Sequence, residues 1–225
     1  VTRQTLVKIC GITTADDACM AVEAGADLIG LNLVAGPRRV TLAVAERILA
    51  VMPDSANRAV LLLRLRAGRL TAAGGQLLAS HPGLHVQLYG DISPPAVIEL
   101  GREGVRCILV HHVESEDSFN SVRRTLEACA GHAPAYVLLD AGVPGRLGGT
   151  GTKADWDAIA EARGRGVFDG WPPLLLAGGL TPDNVAQAVR RAQPAGVDVS
   201  SGVECAPGCK DRAKVRAFIE AVRGR

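Results

Sequence analysis

The feature that most constrains this chain is an alternation repeated eight times. A short apolar run is followed by a stretch with apolar residues at helical spacing. The apolar runs cover 6–10, 26–33, 58–65, 84–88, 105–110, 136–140, 174–177 and 197–199. The helical patterns that answer them cover 14–24, 42–52, 70–79, 94–100, 115–129, 154–162, 182–192 and 211–222. Continuous apolar runs, rather than strict alternation, suit parallel strands covered by helices. Spread over 225 residues, eight units take about 28 residues each, near the minimum for a closed (β/α)8 barrel. An open doubly wound sheet is the structural rival. It would want a topological switch point and usually an early glycine-rich phosphate fingerprint, and none follows the first strand. No linker or shift of composition divides the chain. The expectation is an α/β protein forming a single-domain (β/α)8 TIM barrel over residues 1–225.

Composition removes several function classes. The chain is 48% hydrophobic and 21% charged, with 25 basic against 23 acidic side chains and a formal charge of +2. That balance gives no electrostatic footprint for nucleic acid or a membrane surface. No run approaches the roughly 20 apolar residues needed to span a bilayer, and residues 1–10 lack a signal-peptide pattern. The expected protein is a soluble, cytoplasmic monomer whose partner is a small molecule, with neither nucleic acid nor membrane as partner. Six cysteines are too sparse for a disulfide scaffold, and only Cys205 and Cys209 lie close in sequence. The five histidines supply no further ligands at matching spacing, so the thiols read as reduced and no metal site is expected.

In a barrel of this kind the chemistry sits at the C-terminal ends of the strands. The polar residues there are Cys10, Asn32, Gln87, Tyr89, His111, Asp140, the Gly178–Gly179 pair and Asp198 to Ser201. Strand seven runs into Ala177-Gly178-Gly179-Leu180-Thr181, and strand eight into Asp198-Val199-Ser200-Ser201-Gly202. Small residues let backbone N–H groups approach an anion, and the Ser hydroxyls add donors. Two tight turns would look similar singly, but both loops in this register make a phosphate site the better reading. Gly178, Gly179, Ser200, Ser201 and Gly202 are its candidates. Gly148-Gly149-Thr150-Gly151, in the loop after strand six, is either a flexible loop or a further set of donors, with Gly149 the candidate.

Cys10 and Asp140 end strands one and six. A cysteine there can be simple core, and an aspartate can brace a loop. Across one barrel mouth, however, a thiolate and a carboxylic acid can serve as base and acid in an aldose–ketose isomerisation. A thiol has an ordinary pKa of ~8.5, so neighbouring positive charge would have to favour the thiolate. Lys8 points either away from Cys10 or into the barrel beneath it, depending on the pleat.

At these residues the chain resembles the phosphoribosylanthranilate isomerases of tryptophan biosynthesis. The resemblance runs through Val7-Lys8-Ile9-Cys10-Gly11-Ile12-Thr13, Pro37-Arg38, Val86-Gln87-Leu88, Leu138-Leu139-Asp140-Ala141 and Gly148 to Gly151. It continues through Leu176 to Val185, Gly196 to Glu204 and Pro207-Gly208-Cys209-Lys210-Asp211. It implies a cofactor-independent Amadori rearrangement of N-(5-phosphoribosyl)anthranilate to 1-(2-carboxyphenylamino)-1-deoxyribulose 5-phosphate. Cys10 would be the general base at C2 and Asp140 the general acid at the furanose oxygen. Arg38 and Gln87 would bind substrate, Arg38 at the anthranilate carboxylate. Four strand ends depart from the family pattern. Tyr89 stands where His is usual, strand five lacks a terminal Lys, strand two lacks aromatics, and strand three carries Arg64 and Arg66. Two alternatives therefore stand beside the isomerase: the same rearrangement on another N-linked ribose phosphate, and a non-catalytic phosphate-binding barrel.

Overall fold

The computed structural model describes residues 4–65, 69–90, 92–113, 116–129, 131–140 and 156–224. Eight parallel strands close into a barrel in chain order, β1 hydrogen-bonding to both β2 and β8. They are β1 Leu6–Cys10, β2 Leu28–Asn32, β3 Ala59–Leu65, β4 His85–Gly90, β5 Arg106–His112, β6 Tyr136–Asp140, β7 Leu174–Ala177 and β8 Gly196–Val199. The helices between them are α1 Ala15–Ala24, α2 Leu42–Val51, α3 Ser55–Arg58, α4 Ala72–Ser80, α5 Pro94–Arg102, α6 Glu116–Ala128, α7 Trp156–Gly164 and α8 Val185–Ala192. After β8 come a 3-10 turn, Ser201–Val203, a hairpin of β9 Glu204–Ala206 and β10 Cys209–Lys210, and α9 Arg212–Arg223. The short helix α3 and the hairpin are additions to the eight units expected from periodicity.

Helix starts are written in single residues. Thr14, Thr41 and Thr71 each accept a hydrogen bond from the backbone N–H three residues on, and Asp211 accepts from the N–H groups of Ala213 and Lys214. Such caps satisfy donors that the first helical turn leaves unpaired, each worth about 1 kcal/mol.

The strands sort their side chains by parity. Val7, Ile9, Ile29, Leu31, Leu61, Leu63, Val86 and Leu88 face outward into the layer shared with the helices. Leu28, Val60, Leu62, Ile108, Leu138, Leu175 and Ala177 form a second apolar cluster with Cys10, filling the interior of the barrel. Lys8 is on this inner side: it is fully buried and its Nζ donates to Asp198 Oδ1 at 2.8 Å. Strand pleat therefore settles the Lys8 orientation, since it shares parity with Cys10. Opposite Cys10 in the register stands Gly30, where a Cβ would lie 2.8 Å from the Cys10 sulfur. A glycine on β2 is what gives that sulfur its space.

Candidate active site

A cavity of about 320 Å³ opens at the C-terminal mouth of the barrel. Cys10 lines it from β1, Gln87 and Tyr89 from β4, Asp140 from β6, and Gly178 and Gly179 from the loop after β7. Ser200, Ser201 and Gly202 line it from the loop after β8, and Arg38 from the loop after β2. The candidates for acid, base, substrate and phosphate binding within the described segments thus meet in one space. Gly149 and the rest of Gly148 to Gly151 lie outside the described residues.

The loops after β7 and β8 form one tightly apposed wall. Gly178 and Gly179 take φ of 98° and 61°, a left-handed backbone that disfavours residues with a Cβ. Asn184 ties this turn together, accepting from Thr181 N at 2.8 Å and donating to Gly179 O at 2.9 Å. Gly202 packs so closely on it that a Cβ would fall 1.9 Å from Leu180 O. Two side-chain atoms of residues that line this cavity are shut off from solvent and have no hydrogen-bond partner among the described residues: Ser200 Oγ and Gln87 Oε1. Buried polar groups rarely stay unpaired, so both are exceptions in this fold. The Gln87 amide donates to the Tyr89 hydroxyl at 2.9 Å, and burial holds that phenol protonated by pushing its pKa up.

Charges are organised around Cys10. Burial pushes the Cys10 thiol up, while the Lys8 and Lys210 ammonium groups pull it down and Asp198 opposes them. Burial wins, so the resting group is a neutral thiol with cations at hand. Burial also works against the Lys8 charge, but its surrounding groups, Asp198 foremost, together outweigh it and hold Lys8 protonated. Lys210 is buried too, and its Nζ reaches Cys10 O at 2.6 Å, Ser200 O at 3.2 Å and Glu204 Oε1 at 2.8 Å. Arg38 donates Nε and Nη2 to the two Glu204 oxygens at 2.8 and 2.7 Å, a bidentate pair. Glu204 is thus the hub between the cavity-lining Arg38 and the lysine that braces Cys10. Burial disfavours its carboxylate, yet the bonds from Arg38 and Lys210 hold it below the usual range.

The sequence reading did not single out Lys210, Glu204 or the Lys8–Asp198 pair as site residues. Glu204 and Lys210 are far from Arg38 in sequence and face it only through the hairpin. Strand β5 extends two residues beyond its apolar run, so His112, not His111, lines the cavity. His112 Nδ1 lies 3.9 Å from Asp140 Oδ2. Arg64 also lines the cavity, from β3, directly beside Tyr89 in the register. Among the described residues, no group of three or more His, Cys, Asp or Glu could hold a metal ion, and no helix is long and apolar enough to cross a membrane.

Comparison with known proteins places this site in context. The family model for N-(5'-phosphoribosyl)anthranilate (PRA) isomerase matches residues 79–221. The N-(5'-phosphoribosyl)anthranilate isomerase of Geotalea uraniireducens is 39% identical over 221 residues, covering 98% of this chain and 99% of the relative. The crystal structure of the phosphoribosyl anthranilate isomerase from Thermotoga maritima superposes with a TM-score of 0.83 at 30% identity, over 99% of this chain and 100% of that one. A second isomerase structure, in complex with reduced 1-(o-carboxyphenylamino)-1-deoxyribulose 5-phosphate, has a TM-score of 0.80 at 28% identity and covers 99% of this chain and 100% of its own.

Proposed function

The chain belongs to the N-(5'-phosphoribosyl)anthranilate isomerase family of tryptophan biosynthesis, and from that premise we propose how its own residues carry the reaction. The observation that carries the reading is the shared cavity: Cys10 and Asp140 face it from β1 and β6, beside the Gly178–Gly179 and Ser200–Gly202 loops. The 5-phosphate sits on those loops, met by their backbone N–H groups. Asp140 then gives a proton to the furanose oxygen as the C1–O bond breaks, leaving an iminium at C1. That new positive charge lies one bond from C2 and, with Lys8 and Lys210, favours loss of the Cys10 S–H proton to solvent, leaving the thiolate. Cys10 takes the C2 proton, and the electron pair moves to neutralise the iminium and form the enolamine. Protonation at C1 with loss of the O2 proton yields the aminoketose, and proton exchange with solvent resets both side chains.

The anthranilate carboxylate faces the cationic side of the mouth. Arg38 has Nη1 to offer once Glu204 holds its other two nitrogens, and Arg64 adds a second cation from β3. Gln87 lines the same mouth and holds the Tyr89 hydroxyl there. This arrangement answers the departures at the strand ends: the carboxylate is met by arginines from the loop after β2 and from β3 rather than by a strand-five lysine. Full-length relatives at 39% identity support anthranilate as the amine over another N-linked ribose phosphate. A phosphate-binding protein without catalysis would need neither Cys10 nor Asp140 in the cavity.

The test is rescue of a tryptophan-requiring strain that lacks this isomerase, with conversion of N-(5'-phosphoribosyl)anthranilate followed in purified protein. Growth that disappears with Cys10→Ala and with Asp140→Asn is expected. A folded, phosphate-binding protein that neither rescues growth nor converts the substrate would overturn the assignment.

A further inference from the structure

The hairpin behind Arg38 carries two exposed thiols whose sulfurs lie 2.9 Å apart, Cys205 donating to Cys209. Strand pairing steps from Ala206 opposite Cys209 to Glu204 opposite Lys210, so Cys205 is the extra residue of a bulge. Its sulfur thereby comes to lie beside that of Cys209, and it also sits 3.5 Å from Cys209 O. A disulfide places its sulfurs ~2.05 Å apart, so the pair need close by less than ~1 Å. The flanking residues are already anchored. Glu204, just before Cys205, holds Arg38 and Lys210, while Lys210, just after Cys209, holds Cys10 O and Ser200 O. The turn itself is pinned where Thr13 Oγ1 donates to Gly208 O at 2.5 Å.

We propose that Cys205 and Cys209 are a reversible disulfide site that staples this hairpin, fastening the Glu204–Lys210 pair beneath the active site without rearranging it. The oxidant is a low-molecular-weight disulfide. One protein thiolate attacks it and expels one small thiol, and the second attacks the resulting mixed disulfide and expels the other. Two protein thiols become one disulfide, and the small disulfide becomes two thiols, each leaving sulfur taking up a proton. Anchored flanks keep the two sulfurs at high effective concentration, so ring closure outruns attack of the second thiolate on another small disulfide. Bond formation does not depend on the reaction proposed above; only the kinetic arm of the test rests on it.

The experiment equilibrates the purified full-length chain in glutathione redox buffers, quenches with acid, alkylates free thiols and maps the peptides by mass spectrometry. Oxidised glutathione is expected to yield a peptide with Cys205 and Cys209 joined to each other, and dithiothreitol to reverse it. Cys205→Ser should leave Cys209 as a stable glutathione adduct. The oxidised protein should melt higher by roughly 2–6 °C and keep an unchanged kcat/KM. Two glutathione adducts side by side on Cys205 and Cys209, or links to Cys19 or between chains, would overturn the pairing. A large fall in kcat/KM on oxidation, reversed by dithiothreitol and absent from Cys205→Ser, would overturn the staple and make the bond inhibitory.

Discussion

A sulfur at the end of β1 does its work in surroundings that resist it. Burial holds Cys10 as a thiol, and the nearby ammonium groups of Lys8 and Lys210 lower the cost of ionising it without reversing that preference. Inactivation by iodoacetamide should therefore be slow at neutral pH and accelerate well into the alkaline range, because the thiolate is the reactive form. A maximal rate already reached at neutrality would contradict this. Replacement by alanine removes the proposed base, and Cys10→Ala should lower kcat by at least ~100-fold with the fold intact. Steady-state kinetics with circular dichroism on the same sample checks it. Lys8 is a different case. Its removal strands Asp198, a carboxylate in a nearly closed interior, so Lys8→Met should destabilise the barrel by about 3–5 kcal/mol in urea unfolding. A change of less than a third of that would mean Asp198 is far better solvated than its contacts indicate.

At the scale of elements, the wall proposed to hold the phosphate is built by loops that must touch. Gly202 meets Leu180 O too closely for any side chain, so Gly202→Ala must push the loops after β7 and β8 apart. Its expected signature is a KM raised by roughly tenfold or more with kcat little changed, since the reacting carbons lie away from the phosphate. Gly164→Ala, on α7 where a Cβ meets nothing within 4 Å, serves as the control and should leave both constants alone. Equal kinetics for the two variants would remove Gly202 from the phosphate site. The hairpin after β8 serves the opposite wall. It is the element through which residues 204 and 210 reach back to Arg38 and to the backbone of Cys10.

For the whole molecule, closure of the barrel seals polar groups inside, and pH reads that out. His85 is buried on β4, 6.0 Å from the Tyr136 ring centroid, and burial, with Arg106 adding repulsion, lowers its pKa to about 4. The unfolded chain takes up that proton near the ordinary value of about 6.5, which the fold refuses until about 4. Stability is therefore complete above pH 6.5 and declines as pH falls toward 4. His85→Gln should flatten that decline, seen as a smaller loss of urea midpoint between about pH 7 and about pH 5. An unaltered slope would mean that other groups cause it. Glu204 adds a later acid step. Its carboxylate is held below the usual range, so its contribution persists through mild acid and is lost only as pH falls below that range.

The amino-acid sequence by itself determined the eight strand–helix units, the glycine and serine loops, and the Cys10 and Asp140 pair. These are local signals: periodicity and residue type at a strand end are legible without knowing the neighbours. Tertiary structure alone decided the rest. Lys8 became a buried partner of Asp198 because β1 closes on β8, 190 residues away in sequence. Arg38, Glu204 and Lys210 became one charge network because a hairpin returns to the mouth. His112 replaced His111 at the cavity because β5 runs two residues past its apolar core and the pleat alternates. Long-range pairing and strand register bring charges together across the barrel, and neither leaves a trace in any short window of residues.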